Sequence, residues 1–138
     1  MAGGGLGGFY LFPRPDRILD TRTTTGGHHA PMHDGEELTI LIAGQYFVPP
    51  DAVGVIGNLT VVGATHPGYL VVYAADPSGP PPTSNLNFGA SAAIANMVAS
   101  RLGFDSSLPA TLGRFSIHAS VSSGGTVNVI FDLMGYST

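Results

Sequence analysis

The feature that most constrains the fold is a succession of short apolar segments separated by turn residues. Segment 114–120 alternates cleanly, with Phe115, Ile117 and Ala119 on one side and polar residues on the other. No segment has helical periodicity beyond about two turns. Similar strand signals recur at 38–43, 53–62, 69–73 and 126–134. The sequence therefore predicts an all-β, single-domain β-sandwich or jelly-roll-like barrel of about eight short strands.

The boundaries of several elements follow from local signals. Residues 1–8 are Gly-rich and predict a flexible arm, which leaves 9–138 as a single β domain. A first strand at 9–12 is expected to stop at Pro13, and 13–37 is expected to form loops. We interpret 92–101 as a strand, since alternate residues differ in character. Ser123, Gly124 and Gly125 predict a hairpin turn, and Gly54 and Gly57 predict a bulge or a close backbone approach.

Composition narrows the classes of partner. The chain has 138 residues, no Cys, a net charge of −4, and five basic residues that are all Arg. Disulfides and thiolate zinc sites are therefore excluded. With so few basic residues, the sequence predicts neither a basic surface that would bind nucleic acid nor a polybasic patch that would bind a membrane. Neither a signal peptide nor a membrane span of ~20 apolar residues is recognisable, so we expect a protein made in the cytosol, or one whose signal was trimmed.

The low charge content raises a question of solubility. Charged residues make up 10% of the chain and hydrophobic residues 43%. In the last strand, Ile130 and Met134 fall on the face opposite Phe131 and Leu133, so both faces need cover. Monomers seldom expose large apolar patches, which favours a homo-oligomer. A monomer with a Ser- and Thr-rich surface is the alternative.

A histidine-rich loop is the first candidate site. His28, His29, His33 and Asp34 lie close enough in sequence to be weak candidates for metal ligands. Because the segment follows Gly26 and Gly27 and includes Pro31, we expect an exposed polar loop instead. The prediction is that there is no metal site and no cofactor.

Catalytic signatures are weak throughout the sequence. There is no Gly-x-Ser-x-Gly elbow, and His118 falls on the polar side of its strand. Asp132 is the one carboxylate within an apolar strand, and one carboxylate is not a glycosidase pair. We expect Asp132 to be buried against Arg17 or Arg22, so that its removal costs about 3–5 kcal/mol. The chain is predicted not to be an enzyme. The alternative is a metal-dependent enzyme that uses the histidine loop.

A small aromatic and amide surface is the remaining candidate. Tyr69, Tyr73, Asn85 and Asn87, with Phe88, suggest a shallow groove for a sugar or a peptide, since aromatic rings stack on the apolar faces of sugars. Ordinary cross-strand packing is the alternative explanation for the same residues.

Six phrases in order carry a resemblance that spans about residues 13 to 136. They are Pro13–Arg22, Asn58–Thr60, Gly68–Tyr73, Ser84–Phe88, Ala95–Val98 and Asp132–Tyr136. Together they resemble a β domain of actinobacterial secreted and surface proteins and of virion proteins of actinobacterial phages. The resemblance implies an all-β module without catalytic residues. It also implies that Asp20, Arg22 and Asp132 are structural polar anchors.

The resemblance and the lone-domain organisation lead to a functional expectation. We expect a virion structural protein assembled in the host cytoplasm, in particular a capsid decoration protein that binds the major capsid or another virion protein. A trimer is the favoured oligomer, by analogy with decoration proteins at threefold lattice positions. The alternative is a carbohydrate-binding adhesion module, secreted or at a bacterial cell surface, that binds a glycan.

Overall fold

The computed structural model describes residues 8–138 and confirms the all-β sandwich predicted from the sequence. The one helical element in this range is a short 3-10 turn at Ser122–Gly124. No helix in the described range is long and apolar enough to cross a membrane. The strands are β1 (Phe9–Asp20), β2 (Met32–His33), β3 (Glu37–Leu41), β4 (Gly54–Val62), β5 (Gly68–Ala74), β6 (Leu86–Phe88), β7 (Ala93–Arg101), β8 (Arg114–Val121) and β9 (Thr126–Ser137).

The strands form two antiparallel sheets. The first sheet has the order β1-β9-β4-β7, and β2 pairs with the start of β9. The second sheet has the order β3-β8-β5-β6. Among the strands of residues 8–138, only β5 and β6 are both consecutive in sequence and paired, so the chain crosses repeatedly between the sheets. Apart from β2, this is the strand order of a jelly roll.

The hydrophobic core lies between the two sheets and follows the two-residue period of the strands. The rings of Phe115 on β8 and Phe131 on β9 meet with their centroids 5.0 Å apart. Alternate residues of these two strands are at most 1% exposed, namely Phe115, Ile117, Ala119, Val121, Val127, Val129, Phe131 and Leu133. The segments with the cleanest sequence signal therefore supply the centre of the core.

Gly57 marks the close approach that the sequence predicted. A Cβ at this position would lie 2.7 Å from the carbonyl oxygen of Asp132 and would overlap the ring of Phe131. The register between β4 and β9 also shifts between Ile56 and Gly57, which leaves Met134 as the extra residue of a bulge. Only a residue without a side chain lets β4 lie this close to Phe131.

The first strand is longer than the sequence indicated. β1 continues through Pro13 and Pro15 as far as Asp20, so the expectation of a loop over that stretch is wrong. The register with β9 shifts between Leu11 and Asp16, and the two prolines lie in this irregular part. Because β1 is an edge strand, a residue without an N–H can be accommodated on its unpaired side.

The turn between β8 and β9 also differs from its prediction. Ser123 and Gly124 adopt φ values of 57° and 65°, as a tight turn requires. However, β8 belongs to the second sheet and β9 to the first, so the expected hairpin is wrong. Turn residues predict that the chain reverses, but they do not specify that the flanking strands pair.

The N-terminal arm lies almost wholly outside the described residues. Its last residue, Gly8, exchanges two backbone hydrogen bonds with Thr138, with N···O distances of 3.2 and 3.0 Å. Gly8 therefore continues the ladder between β1 and β9.

Candidate functional site

The first group of candidate residues is the ion pair at the end of β1. The Asp20 carboxylate has a side chain only 6% exposed, and it accepts hydrogen bonds from the backbone N–H, Nε and Nη2 of Arg22 at 3.0, 3.0 and 2.9 Å. The side-chain bond from Arg22 lowers the pKa of Asp20, and burial opposes that shift. This local ring of charge-assisted hydrogen bonds shapes the end of β1.

Asp132 is the second anchor, and its partner is Arg17. Arg17 Nε lies 2.8 Å from Asp132 Oδ1, and Nη2 lies 3.2 Å from Oδ2. This bond to Asp132 is the main cause of the raised pKa of Arg17. The expected pairing with an arginine of the 14–22 segment is present.

The expectation that Asp132 is buried is wrong. Its side chain is 18% exposed and that of Arg17 is 51% exposed. Strand alternation explains the difference, because Phe131 and Leu133 face the core and Asp132 therefore faces outward. The pair lies on the outer surface of the first sheet.

Thr21, between the predicted anchors Asp20 and Arg22, is a buried anchor that the sequence did not single out. Its hydroxyl donates to Asn128 Oδ1 and accepts from the Val129 N–H, both at 2.9 Å, and the residue is 1% exposed. The only signal was its place between two charged residues of the predicted anchor run. Thr21 ties the end of β1 to β9 by hydrogen bonds that need no charge.

The histidine segment is tied to the domain body. Residues 32 and 33 form β2, and the Met32 side chain is fully buried. Asp34 Oδ1 accepts the Val121 N–H at 2.9 Å, and His28 Nε2 lies 3.3 Å from Glu36 Oε2. Within residues 8–138, no three His, Asp or Glu side chains are grouped in a way that could hold a metal ion. The expected exposed polar loop is therefore found at His29, His33 and Asp34, which are exposed, but not at Met32, which is buried in a short strand.

The predicted aromatic and amide groove is not assembled as a set. Tyr73 is only 8% exposed and Phe88 is part of the core. Asn85 Oδ1 accepts the Val72 N–H at 2.7 Å, so this amide has a structural role. Tyr69, which is 40% exposed, remains on the surface opposite its cross-strand partner Asn87. The candidate glycan surface is thus reduced to these two residues.

A broader surface, which the sequence did not reveal in full, lies on the outer face of the first sheet. We define the outer apolar face as Phe9, Leu11, Ile56, Met97 and Ala99, with Gly54, Gly135 and Ser137 between them. Leu11, Gly135, Ile56 and Ala99 are aligned across the four strands by their register. Phe9, Leu11 and Met97 are 64%, 65% and 69% exposed.

Small residues make this face flat and leave a shallow depression in it. Phe9, Ile56, Ala99 and Arg101 contribute to its lining, together with Gly54 and Ser137. At its margin the Arg101 guanidinium lies 4.4 Å from the centre of the Phe104 ring. The continuous apolar run at 53–56 was the available signal, because it places apolar residues on both faces of β4.

Comparisons of the chain with protein-family models, with curated proteins and with solved structures found no match.

Proposed function

We propose that the chain is a non-enzymatic structural protein of a virion, most specifically a capsid decoration protein that binds the particle surface. The observation that carries the proposal is the outer apolar face of the first sheet, which exposes Phe9, Leu11 and Met97 together. Large exposed apolar patches on small domains are typical of interaction surfaces. Jelly rolls are also frequent among viral capsid domains and lectins.

The charge distribution on this face suggests what kind of surface it binds. Arg17 and Asp132 neutralise one another beside the outer apolar face, and Arg101 lies at its margin. Such a face fits a flat, uncharged protein surface better than an anionic polymer. We therefore propose the major capsid protein or another virion protein as the partner, met in the host cytoplasm during assembly.

The test is to count the chain on purified phage particles by quantitative mass spectrometry and then to rebuild the contact. Particles stripped of the protein are incubated with recombinant chain, and bound copies are measured after sedimentation. Leu11→Asp is expected to reduce binding at least about tenfold, since it places a charge within the apolar contact. Phe47→Asp is the matched control, because Phe47 is 97% exposed and lies outside the outer apolar face.

Two results would contradict the proposal. One is the absence of the chain from purified particles. The other is equal loss of binding for Leu11→Asp and Phe47→Asp, with both variants folded by circular dichroism.

The second candidate is a carbohydrate-binding adhesion module, at a cell surface or secreted. It is favoured by Tyr69, whose exposed ring lies opposite the exposed Asn87 amide on β6. The aromatic ring can stack on the apolar face of a sugar, and the amide oxygen can accept hydrogen bonds from its hydroxyl groups. Binding of envelope polysaccharide that is lost in Tyr69→Ala and kept in Leu11→Asp would support this candidate over the first.

A further inference from the structure

The four edges of the two sheets are protected to very different degrees. β1 carries Pro13, Pro15 and a break in register. β3 has five residues and begins with Glu37, and β6 has only three residues. Prolines, irregular register, charges and short length are the usual devices that prevent strands from pairing with other chains.

The remaining edge, β7, has none of these devices before its last residue. It runs for nine residues from Ala93 to Arg101 and pairs with β4 without a register shift. It contains no proline, and Arg101 at its end is its only charge. Met97 at its centre is 69% exposed. A long, regular and uncharged edge of this kind is a template for adding another strand.

The phase of the β4–β7 ladder shows which backbone groups this edge offers. Gly63 N–H donates to Ala92 O at 3.2 Å and Leu102 N–H donates to Val53 O at 2.9 Å, at the two ends of the pair. In an antiparallel ladder, hydrogen-bonded positions alternate. The groups directed away from β4 therefore belong to Ala93, Ala95, Met97, Ala99 and Arg101.

We propose that β7 pairs antiparallel with β7 of a second copy of this chain, about a two-fold axis at Met97. In this register Met97 lies opposite Met97, Ala95 opposite Ala99, and Ala93 opposite Arg101. Every residue with outward N–H and C=O groups then meets another such residue. The first sheets of the two copies become one continuous sheet. This inference goes beyond the proposed function and does not depend on it.

The charge and shape of the β7 edge favour a second copy of this chain as the strand that pairs with it. In the antiparallel register the two Arg101 side chains lie at opposite ends of the pair, about 27 Å apart at ~3.4 Å per residue. A parallel pair would bring them together. The residues flanking Met97 on the same face are Ala95 and Ala99, whose small exposed side chains do not crowd the side chains of an adjacent strand. The outer apolar faces of the two copies also become contiguous.

The two-fold pairing changes the oligomer that we expect. The trimer rested on analogy with other decoration proteins, whereas an isologous edge joins copies in twos. We therefore place a dimer before a trimer, and on a particle each dimer would present two outer apolar faces.

Light scattering of the purified chain is the first test. At micromolar concentration the wild-type protein is expected at twice the chain mass of 14.1 kDa. Ala95→Lys is expected to give the monomer mass, because a lysine on this edge opposes strand pairing. Ala110→Lys is the matched control at an exposed position off the β7 edge, and it is expected to stay dimeric. A monomeric wild-type chain, or a dimer that persists in a folded Ala95→Lys variant, would overturn the proposal.

Cysteine cross-linking tests the register, and the natural chain contains no cysteine that could interfere. Facing residues of a hydrogen-bonded antiparallel pair have Cα atoms about 5.5 Å apart, which suits a disulfide. Met97→Cys is therefore expected to cross-link under mild oxidation, and Ala110→Cys is not. A mixture of Ala95→Cys and Ala99→Cys chains should form mixed dimers faster than either variant forms dimers alone. Cross-linking at Ala110→Cys that equals that at Met97→Cys would contradict the two-fold axis at Met97.

Discussion

Arg17 and Asp132 form a bidentate ion pair between residues 115 positions apart in the chain, with Nε 2.8 Å from Oδ1. The pair joins β1 to β9 on the outer surface of the first sheet, in the row that also contains Asn58 and Met97. Because Arg17 is half exposed, water competes with the pair and salt screens it. The pair therefore contributes less to stability than the buried pair that the sequence predicted.

Asp132→Ala is predicted to lower the free energy of unfolding by only about 1 kcal/mol, as is typical of an exposed ion pair. Urea denaturation of Asp132→Ala, Arg17→Ala and the double variant measures the coupling between the two residues. The two single losses should not add in the double variant, since each removes the same contact. A loss of about 3 kcal/mol or more for Asp132→Ala would show that the pair is effectively buried.

Gly57→Ala is predicted to destabilise the domain by about 1–3 kcal/mol, because the new methyl group meets a packed core. It would press on the ring of Phe131 and on the Asp132 carbonyl oxygen. Gly89→Ala is the matched control, since a Cβ there has no neighbour within 4 Å. Thermal denaturation should show a lower Tm for Gly57→Ala and an unchanged Tm for Gly89→Ala. Equal melting temperatures for the two variants would contradict the tight approach of β4 to β9.

The acid side of the stability profile is predicted to depend on Asp20. Its pKa is lowered in the folded protein, chiefly by the Arg22 side chain, so folding favours the charged form. This stabilisation is present above the unfolded pKa of about 3.9 and is lost as the pH falls through the lower folded value. Asp20→Asn should therefore be less stable than wild type at pH 7, and the difference should shrink below about pH 4. Urea midpoints measured from pH 7 to pH 3 provide the comparison, and a difference that is constant with pH would refute the assignment.

Replacing His28, His29 and His33 together with alanine is predicted to change stability by no more than about 1 kcal/mol, since their polar contacts are exposed or partly exposed. Asp34→Ala is the contrasting variant, because it removes the acceptor of the Val121 N–H. It should cost about 1 kcal/mol or more by leaving that donor without its partner. Calorimetry with zinc should give no tight binding to the wild-type chain. Stoichiometric zinc uptake that disappears in the triple variant would mean that the segment is a metal site.

Sequence periodicity predicted the strands that pack against the core on one side and face water on the other. β8 and the inward side of β9 belong to this class. β7 was also predicted as a strand from its alternation, although Val98 is its only buried residue. The prediction did not extend to pairing. The prolines of β1 predicted that the strand would end at Pro13. An edge strand tolerates proline, but the sequence does not show which strand lies at the edge of the sheet. The turn at Ser123 gave no indication that its flanking strands belong to different sheets.

The candidate sites, like the strands, were predictable from the sequence only in part. The pairing of Asp132 with an arginine was predictable, because a carboxylate in an apolar strand needs a cation or several donors. Its burial was overestimated, because Asp132 lies on the side of β9 that faces away from the core and its side chain is 18% exposed. Tyr73 and Asn85 looked like surface groups because both are polar. Their burial depends on the strand and loop beside them, which no local pattern specifies.

The position of β9 has a consequence for how the domain is made. β9 is the last strand of the domain, yet it lies between β1 and β4 and pairs with both of them. During synthesis the ribosome therefore releases β1 and β4 long before the strand that joins them has emerged. Since domains rich in non-local strand pairs fold slowly, we expect folding to be completed only after translation of β9. Until then the apolar sides of β1 and β4 stay exposed in the nascent chain, and we expect chaperones to bind it.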